Sequence, residues 1–392
     1  MATIYEESLE KHGIWKGKIS TELKMPLNDT KDLSLAYTPG VAEPCRAISK
    51  DKKQVYNYTW KGNTIAVVSD GTAVLGLGDI GPEAGLPVME GKAVLFKKFG
   101  GVDCVPICLD TKDPKEIISI CKALAPSFGG INLEDISAPR CVEIERTLIK
   151  ELNIPVFHDD QHGTAIVVTA AVSNALKLIG KKKEDVTAVV SGMGAAGSSI
   201  CRMLLDFGIK DILGFNSKGI VLKDDYENYN FLTKELCLIT NKQNRRLSLQ
   251  DAMKEADIFI GVSKPNLITK EMVASMKRDP IIFAMANPEP EIPYADAVAG
   301  GAKVIGTGRS DFPNQVNNVL AFPGLFRGAL DVRARKITEE MKMAAAMGLA
   351  SLIKEEELRP DYVIPSPFDP RVAKAVAAAV AETARKIGVA EI

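Results

Sequence analysis

The sequence predicts an α/β protein of two domains, one of them Rossmann-like. Three observations carry that expectation. Short apolar runs of strand length alternate with helical stretches from Ile65 to Gly308, the pattern of α/β layers. A Gly-x-Gly-x-x-Gly run, Gly192 to Gly197, stands between a β-rich run and a helical one, the context that a dinucleotide fingerprint requires. The chain also has 392 residues, more than one hydrophobic core usually serves. We place one domain at residues 1–160 and the Rossmann-like domain at 161–365. The last helix, within 366–392, is expected to pack back on the first domain.

Residues 1–60 yield no clear element. Within them Pro39-Gly40 is a turn signal that puts Tyr37 at its lip, and the stretch alone favours a tyrosine packed on the core. Ile65 to Ser69 reads as a buried strand running into a glycine-dense segment, Val74 to Gly81. Gly85 to Phe96 reads as a loop entering an apolar helix. That places Lys92 near a helix N-terminus, where the macrodipole disfavours a cation. Such a lysine either reaches solvent or has its pKa lowered for use, and the stretch alone favours solvent. Asp103 to Leu109 is a strand, and Asp113-Pro114 caps and starts a helix. Ile131 to Leu133 is a short strand ending at Glu134-Asp135. Pro139 to Leu152 is a helix, and Ile154 to Phe157 a strand ending at His158-Asp159-Asp160-Gln161-His162-Gly163. Gly163 is expected to ease the turn into the apolar helix Thr164 to Ile179.

Val186 to Val190 is the strand before the fingerprint, and Ser198 to Phe207 the helix after it. The backbone of Gly192, Met193, Gly194, Ala195, Ala196 and Gly197 can approach a pyrophosphate at that helix N-terminus. The next strand, Asp211 to Phe215, ends at Asn216. An NAD-preferring unit usually carries Asp or Glu there, so Asn216, with Lys218 two residues on, leaves room for NADP. Strands at Asp257–Val262, Ile281–Met285 and Lys303–Gly308 continue the unit. Long helical patterns at Thr338–Leu352 and Asp369–Ile387 finish the chain.

The net charge of -1 gives no sign of a nucleic-acid or acidic-membrane partner. The N-terminus carries no secretory pattern, and the apolar runs read as shorter than the ~20 residues of a membrane span. Seven scattered cysteines, an odd count, fit reduced thiols and a cytoplasmic location. Adjacent carboxylates at the ends of two buried strands are costly without a positive partner, and a divalent cation is the usual one. The four-residue spacing of His158 and His162 hints at zinc. Strand and turn geometry intervene and no cysteine joins them, so structural roles are expected.

These residues resemble the malic enzymes in their short bacterial form. The resemblance rests on Tyr37-Thr38-Pro39-Gly40-Val41-Ala42, Gly76 to Gly81, Gly91-Lys92, Glu134-Asp135, Asp159 to Thr164, Gly192 to Gly197, Asn287-Pro288 and Asn317-Asn318, in the family's order. It implies oxidative decarboxylation of (S)-malate to pyruvate and carbon dioxide, with NAD or NADP, NAD slightly favoured. It also implies Mg²⁺ or Mn²⁺ on Glu134, Asp135 and Asp160, Tyr37 as general acid, Lys92 as general base, and Asp159 orienting that lysine. Asn287, Asn317 and Asn318 would hold malate, with Asn287 also beside the cofactor, and a homodimer is implied. One departure stands out. Larger members carry an arginine for the malate carboxylate where this chain has Ala73.

Two other functions compete. A two-domain amino-acid or folate dehydrogenase would share the Rossmann half and survive EDTA. A silent dinucleotide-binding regulator would not need Tyr37, Lys92 and three acidic ligands together. A milder variant converts malate directly to lactate on bound NAD.

Overall fold

The computed structural model describes residues 3–74 and 76–392. Two parallel sheets organise it. The first comprises β1 (Thr64–Ser69), β2 (Asp103–Cys108), β3 (Gly130–Leu133) and β4 (Val156–His158), in the order β2-β1-β3-β4. The second comprises β5 (Thr187–Ser191), β6 (Asp211–Asn216), β7 (Gly219–Ile220), β8 (Ile258–Gly261), β9 (Ile281–Ala284) and β10 (Val304–Thr307). Its order is β10-β9-β8-β5-β6-β7, parallel except for the short β7. The strand order reverses beside β1 in one sheet and beside β5 in the other. Ligands of open α/β sheets bind at the carboxyl ends of strands at such points.

The strands are mostly apolar, and all but the edge strands β2 and β7 are largely buried, as expected where helices cover both faces. Asp159–Ile179 is the central helix, packed against Ala195–Phe207 and Glu339–Ala350. At 21 residues it is long and apolar enough to cross a membrane, against the sequence expectation, but 72% of its apolar window is buried inside the fold. Val372–Lys386 packs chiefly on Phe322–Asp331 and Glu339–Ala350, with a lighter contact to Pro82–Gly100 of the first sheet's layer. An aromatic cluster joins the halves: Phe322 lies 4.6 Å and Phe326 5.4 Å from Phe96, ring centre to ring centre.

Three local expectations fail. The helix carrying Lys92 starts at Pro82, runs to Gly100 and tolerates Pro87, so Lys92 sits mid-helix rather than at an N-terminus. Pro82 occupies the first turn, where its missing N–H costs nothing. Gly163 lies inside the Asp159–Ile179 helix, which begins directly at the end of β4, so it eases no turn. Tyr37 is 69% exposed, not packed on the core. The N-terminal region is helical at Ile4–Trp15, Thr30–Ala36 and Ala42–Lys50, yet from Thr3 to Trp60 no residue is buried.

Candidate active site

Leu133 pairs in register with His158, so the two acidic pairs stand side by side just beyond the ends of β3 and β4. The Asp135 N–H donates to Asp160 Oδ2 at 2.8 Å. Asp135 adopts φ 52°, a left-handed conformation uncommon for a residue with a side chain. One oxygen from each of Glu134, Asp135 and Asp160 lies within 4.8 Å of the others. Burial raises the Glu134 carboxyl well above its ordinary range, with Asp160 and Asp159 adding to it against Lys92. Burial, then Asp160, lifts Asp135 to about 8. Asp135 Oδ2 is buried and without a hydrogen-bond partner. A converging set of hard oxygens under mutual repulsion fits Mg²⁺ or Mn²⁺.

Beside this cluster Lys92 is buried. Its Nζ lies 2.6 Å from Asp159 Oδ2, 2.8 Å from Glu134 Oε1 and 4.2 Å from the centre of the Phe322 ring. Burial pushes the ammonium down, but Asp159, Glu134 and Asp160 outweigh it and hold Lys92 above its ordinary value. The solvent reading of Lys92 is therefore overturned, because the side chain is buried among carboxylates. Its neighbours are carboxylates, which stabilise the charged form. Asn132 Nδ2 donates to Glu134 Oε2 at 2.8 Å, and Asn318 Nδ2 donates to Asp159 Oδ2 at 2.5 Å.

Asp135, Asp160, Asn287, Asn317 and Asn318 line one cleft of ≈ 690 Å³, together with Ala195 and Ala196 of the fingerprint. Gly192, Met193, Gly194 and Asn216 line a second groove of ≈ 860 Å³, and Ser263 borders both. A Cβ on Gly197 would stand 1.7 Å from the Gly192 carbonyl oxygen, whereas one on Gly194 would meet nothing within 4 Å. The first glycine allows the tight turn and the second leaves open space above it, which fits a pyrophosphate at the start of the Ala195–Phe207 helix.

Tyr37 is not brought to the cleft lining. Nor is any arginine among the described residues. Arg140 instead braces the neighbouring loops, pairing with Asp70 at 2.6 Å and donating to Ser137 Oγ and Thr72 Oγ1. The two histidines are structural: His158 Nδ1 accepts the Gln161 N–H, and His162 pairs with Glu145. Glu145 escaped the sequence reading. Its carboxylate accepts the His158 N–H at 2.8 Å and the Gln161 side-chain amide at 3.2 Å, fixing the turn that carries Asp159 and Asp160. Phe322 and Asn132 also escaped it. Asn132 lies inside a buried strand, and a polar residue there signals a partner at the strand's end.

Together the doubly wound sheet, the fingerprint and the acidic cleft define a two-domain, dinucleotide-dependent oxidoreductase. The malic enzyme N-terminal domain matches residues 16–149, and the malic enzyme NAD binding domain matches residues 161–385. The bifunctional malic/malolactic enzyme of Bacillus subtilis (strain 168) is 58% identical over 390 residues, covering 100% of this chain and 95% of its own. The NAD-dependent malic enzyme of Geobacillus stearothermophilus is 57% identical over 375 residues, covering 95% and 78%. The crystal structure of malic enzyme from Pyrococcus horikoshii Ot3 superposes with a TM-score of 0.95 at 49% identity, covering 99% and 92%. The chain belongs to the malic enzyme family, whose reaction is the NAD- or NADP-dependent oxidative decarboxylation of malate.

Proposed function

We propose that this chain converts (S)-malate to pyruvate and carbon dioxide with Lys92 as general base, Tyr37 as general acid, and Glu134, Asp135 and Asp160 holding Mg²⁺ or Mn²⁺. The observation that carries it is Lys92, buried between Asp159 and Glu134 at the edge of a three-carboxylate cluster, on a cleft shared with the fingerprint. When bound at Glu134, Asp135 and Asp160, a cation would supply Lewis acidity, and a dinucleotide on the fingerprint would supply the hydride acceptor. Lys92 takes the C2 hydroxyl proton. Burial already favours its neutral form, and commitment of Glu134 to a cation removes one of its two ion-pair partners. Asp159, clamped by Asn318, positions the amine. Asn287, Asn317 and Asn318 offer amides to the substrate in a cleft without a guanidinium. After carbon dioxide leaves, a phenol protonates C3.

The functional unit in this reading is a homodimer. The exposed N-terminal region displays Ile4, Tyr5, Leu9, Trp15, Leu23 and Leu35. So much unburied apolar surface on one segment marks an interface. Tyr37 lies on that same segment, so the phenol reaches the site of the second copy. All seven cysteines are free, which supports a cytoplasmic location.

The test is nicotinamide reduction with (S)-malate, Mn²⁺ and each cofactor, with pyruvate and lactate assayed at the end. Stoichiometric pyruvate, abolished by EDTA and by Lys92→Ala, is expected. Lactate without net reduced cofactor would point to the second activity named for the Bacillus relative. Mixing inactive Tyr37→Phe with inactive Lys92→Ala should restore turnover, because one site of the mixed dimer is then complete. Mixing without recovery would exclude the shared site.

A further inference from the structure

One buried carboxylate stands apart from both the acidic cluster and the cleft lining. Glu291 is 0% exposed and forms no ion pair among the described residues. Its two oxygens each accept a backbone N–H instead, Oε1 that of Ser263 at 2.8 Å and Oε2 that of Ala286 at 3.0 Å. Its carbonyl accepts the Leu267 and Ile268 N–H groups at 2.7 and 3.1 Å. Ser263 and Ile268 follow β8, and Ala286 and Glu291 follow β9, so one residue ties the loops at the carboxyl ends of two paired strands. Burial raises its carboxyl above the ordinary value, and the N–H groups of Ser263 and Ala286 oppose that shift. A charge so placed is costly, and the chain makes room for it. A Cβ on Gly261 would stand 2.3 Å from Glu291 Cδ.

We propose that Glu291 is a positioning residue for hydride transfer, holding Ser263, where the dinucleotide groove meets the substrate cleft, and Asn287 within that cleft. The inference rests on the malate oxidation proposed for this chain and assigns it a further residue. Ser263 borders both spaces, and Asn287, next to Ala286, lines the cleft. The Ser263 hydroxyl lies 3.0 Å from that of Ser191, the residue before the first fingerprint glycine. A Cβ on Gly192 would stand 3.2 Å from Ser263 Cβ. The carboxylate therefore acts through Ser263 on the fingerprint turn and through Ala286 on Asn287. Ser263 is itself exposed, so packing does not fix its loop and the hydrogen bonds to Glu291 do. Glutamine has the same shape but one acceptor oxygen. Its amide would face one of the two N–H groups donor to donor, and that loop would come loose.

The experiment compares wild type, Glu291→Gln and Glu291→Ala as full-length proteins with Mn²⁺. It measures the NADH dissociation constant by nicotinamide fluorescence, kcat and KM for malate oxidation, and the primary deuterium isotope effect with malate deuterated at C2. In Glu291→Gln, NADH affinity and kcat should each fall about tenfold and the KM for malate should rise. The isotope effect should grow, because a misaligned hydride step becomes slower relative to product release. Damage to folding alone would shrink the active fraction and leave KM, NADH affinity and isotope effect of the remainder unchanged. That pattern, or wild-type values throughout, would overturn the proposal. Gly261→Ala should reproduce the Glu291→Gln pattern on its own and add little in the Glu291→Ala background, where the space is vacant. An equal cost in both backgrounds would overturn the proposal as well. Absence of malate oxidation in wild type would refute the functional reading, and the NADH affinities would still decide the role of Glu291.

Discussion

Replacing Gly163 with alanine sets helix propensity against site geometry. Position 163 lies inside a long helix at ordinary dihedrals, so propensity alone makes Gly163→Ala stabilising by ~1 kcal/mol. The surroundings reverse the sign. A Cβ at 163 would stand 2.0 Å from Asp159 Oδ1 and 2.9 Å from Asn318 Cβ, where contacts below 3.0 Å are not sustained. The Asp159 carboxylate must therefore retreat by about 1 Å. It is not free to do so, because its other oxygen is held by Lys92 at 2.6 Å and by Asn318 at 2.5 Å. Giving up one such charge-assisted bond costs ~1.5–3 kcal/mol. The balance against the propensity gain is a net loss of ~0.5–2 kcal/mol, a fall of a few degrees in Tm. The larger effect is on turnover in the proposed mechanism: displacing the Lys92 amine by about 1 Å should cost ~10²-fold. Steady-state kinetics at saturating Mn²⁺ alongside thermal melting would separate the two. A variant with near wild-type kcat and a raised Tm would refute the argument, since it would show Asp159 moving without consequence for Lys92.

Two further outcomes follow from the charge pattern. Mn²⁺ binding at neutral pH should release about one proton, because Asp135 sits at about 8 and Glu134 is raised too, and the affinity should climb as pH rises through that range. Calorimetry in two buffers of different ionisation heat reads this directly, and a heat independent of buffer would contradict it. Glu145 behaves oppositely: burial disfavours its charge, yet His162 and Lys342 hold it at about 2 against an ordinary 4.5. Its stabilisation is thus complete above the ordinary value and lost as pH falls toward the folded one. Glu145→Gln should melt lower than wild type at neutral pH, with the gap closing in acid; a gap constant from neutral pH to pH ~3 would refute the assignment.

The parts of this molecule that were legible in its sequence are those encoded by neighbours. The buried strands of both sheets show as apolar runs, because helices on both faces leave no polar side to alternate. The acidic pairs Glu134-Asp135 and Asp159-Asp160 are adjacent in sequence and sit at strand ends, so their convergence could be anticipated from topology. The start of the Lys92 helix was hidden by Pro87, which normally breaks a helix and here is accommodated near its beginning. The Phe322–Asp331 helix was not anticipated; it carries Pro323 and Gly324 in its first turn.

The catalytic environment is a different matter, because no single stretch contains it. Lys92 owes its state to Glu134 from the end of β3, Asp159 from the start of the central helix, and Phe322 from beyond the last strand. Read in its own segment, a lysine in a helix is a solvated cation, and that reading failed only because three distant segments meet at its amine. Gly163 makes the same point from the steric side. Its value is the absence of a Cβ where Asp159 and Asn318 meet, residues 4 positions before and 155 positions after it. Tyr37 extends the argument past the single chain. It matches the family motif in sequence, yet it is exposed on a segment with no core of its own. In the proposed homodimer this exposed motif residue serves the second copy's site, so complementation between Tyr37→Phe and Lys92→Ala tests the assembly and the mechanism at once.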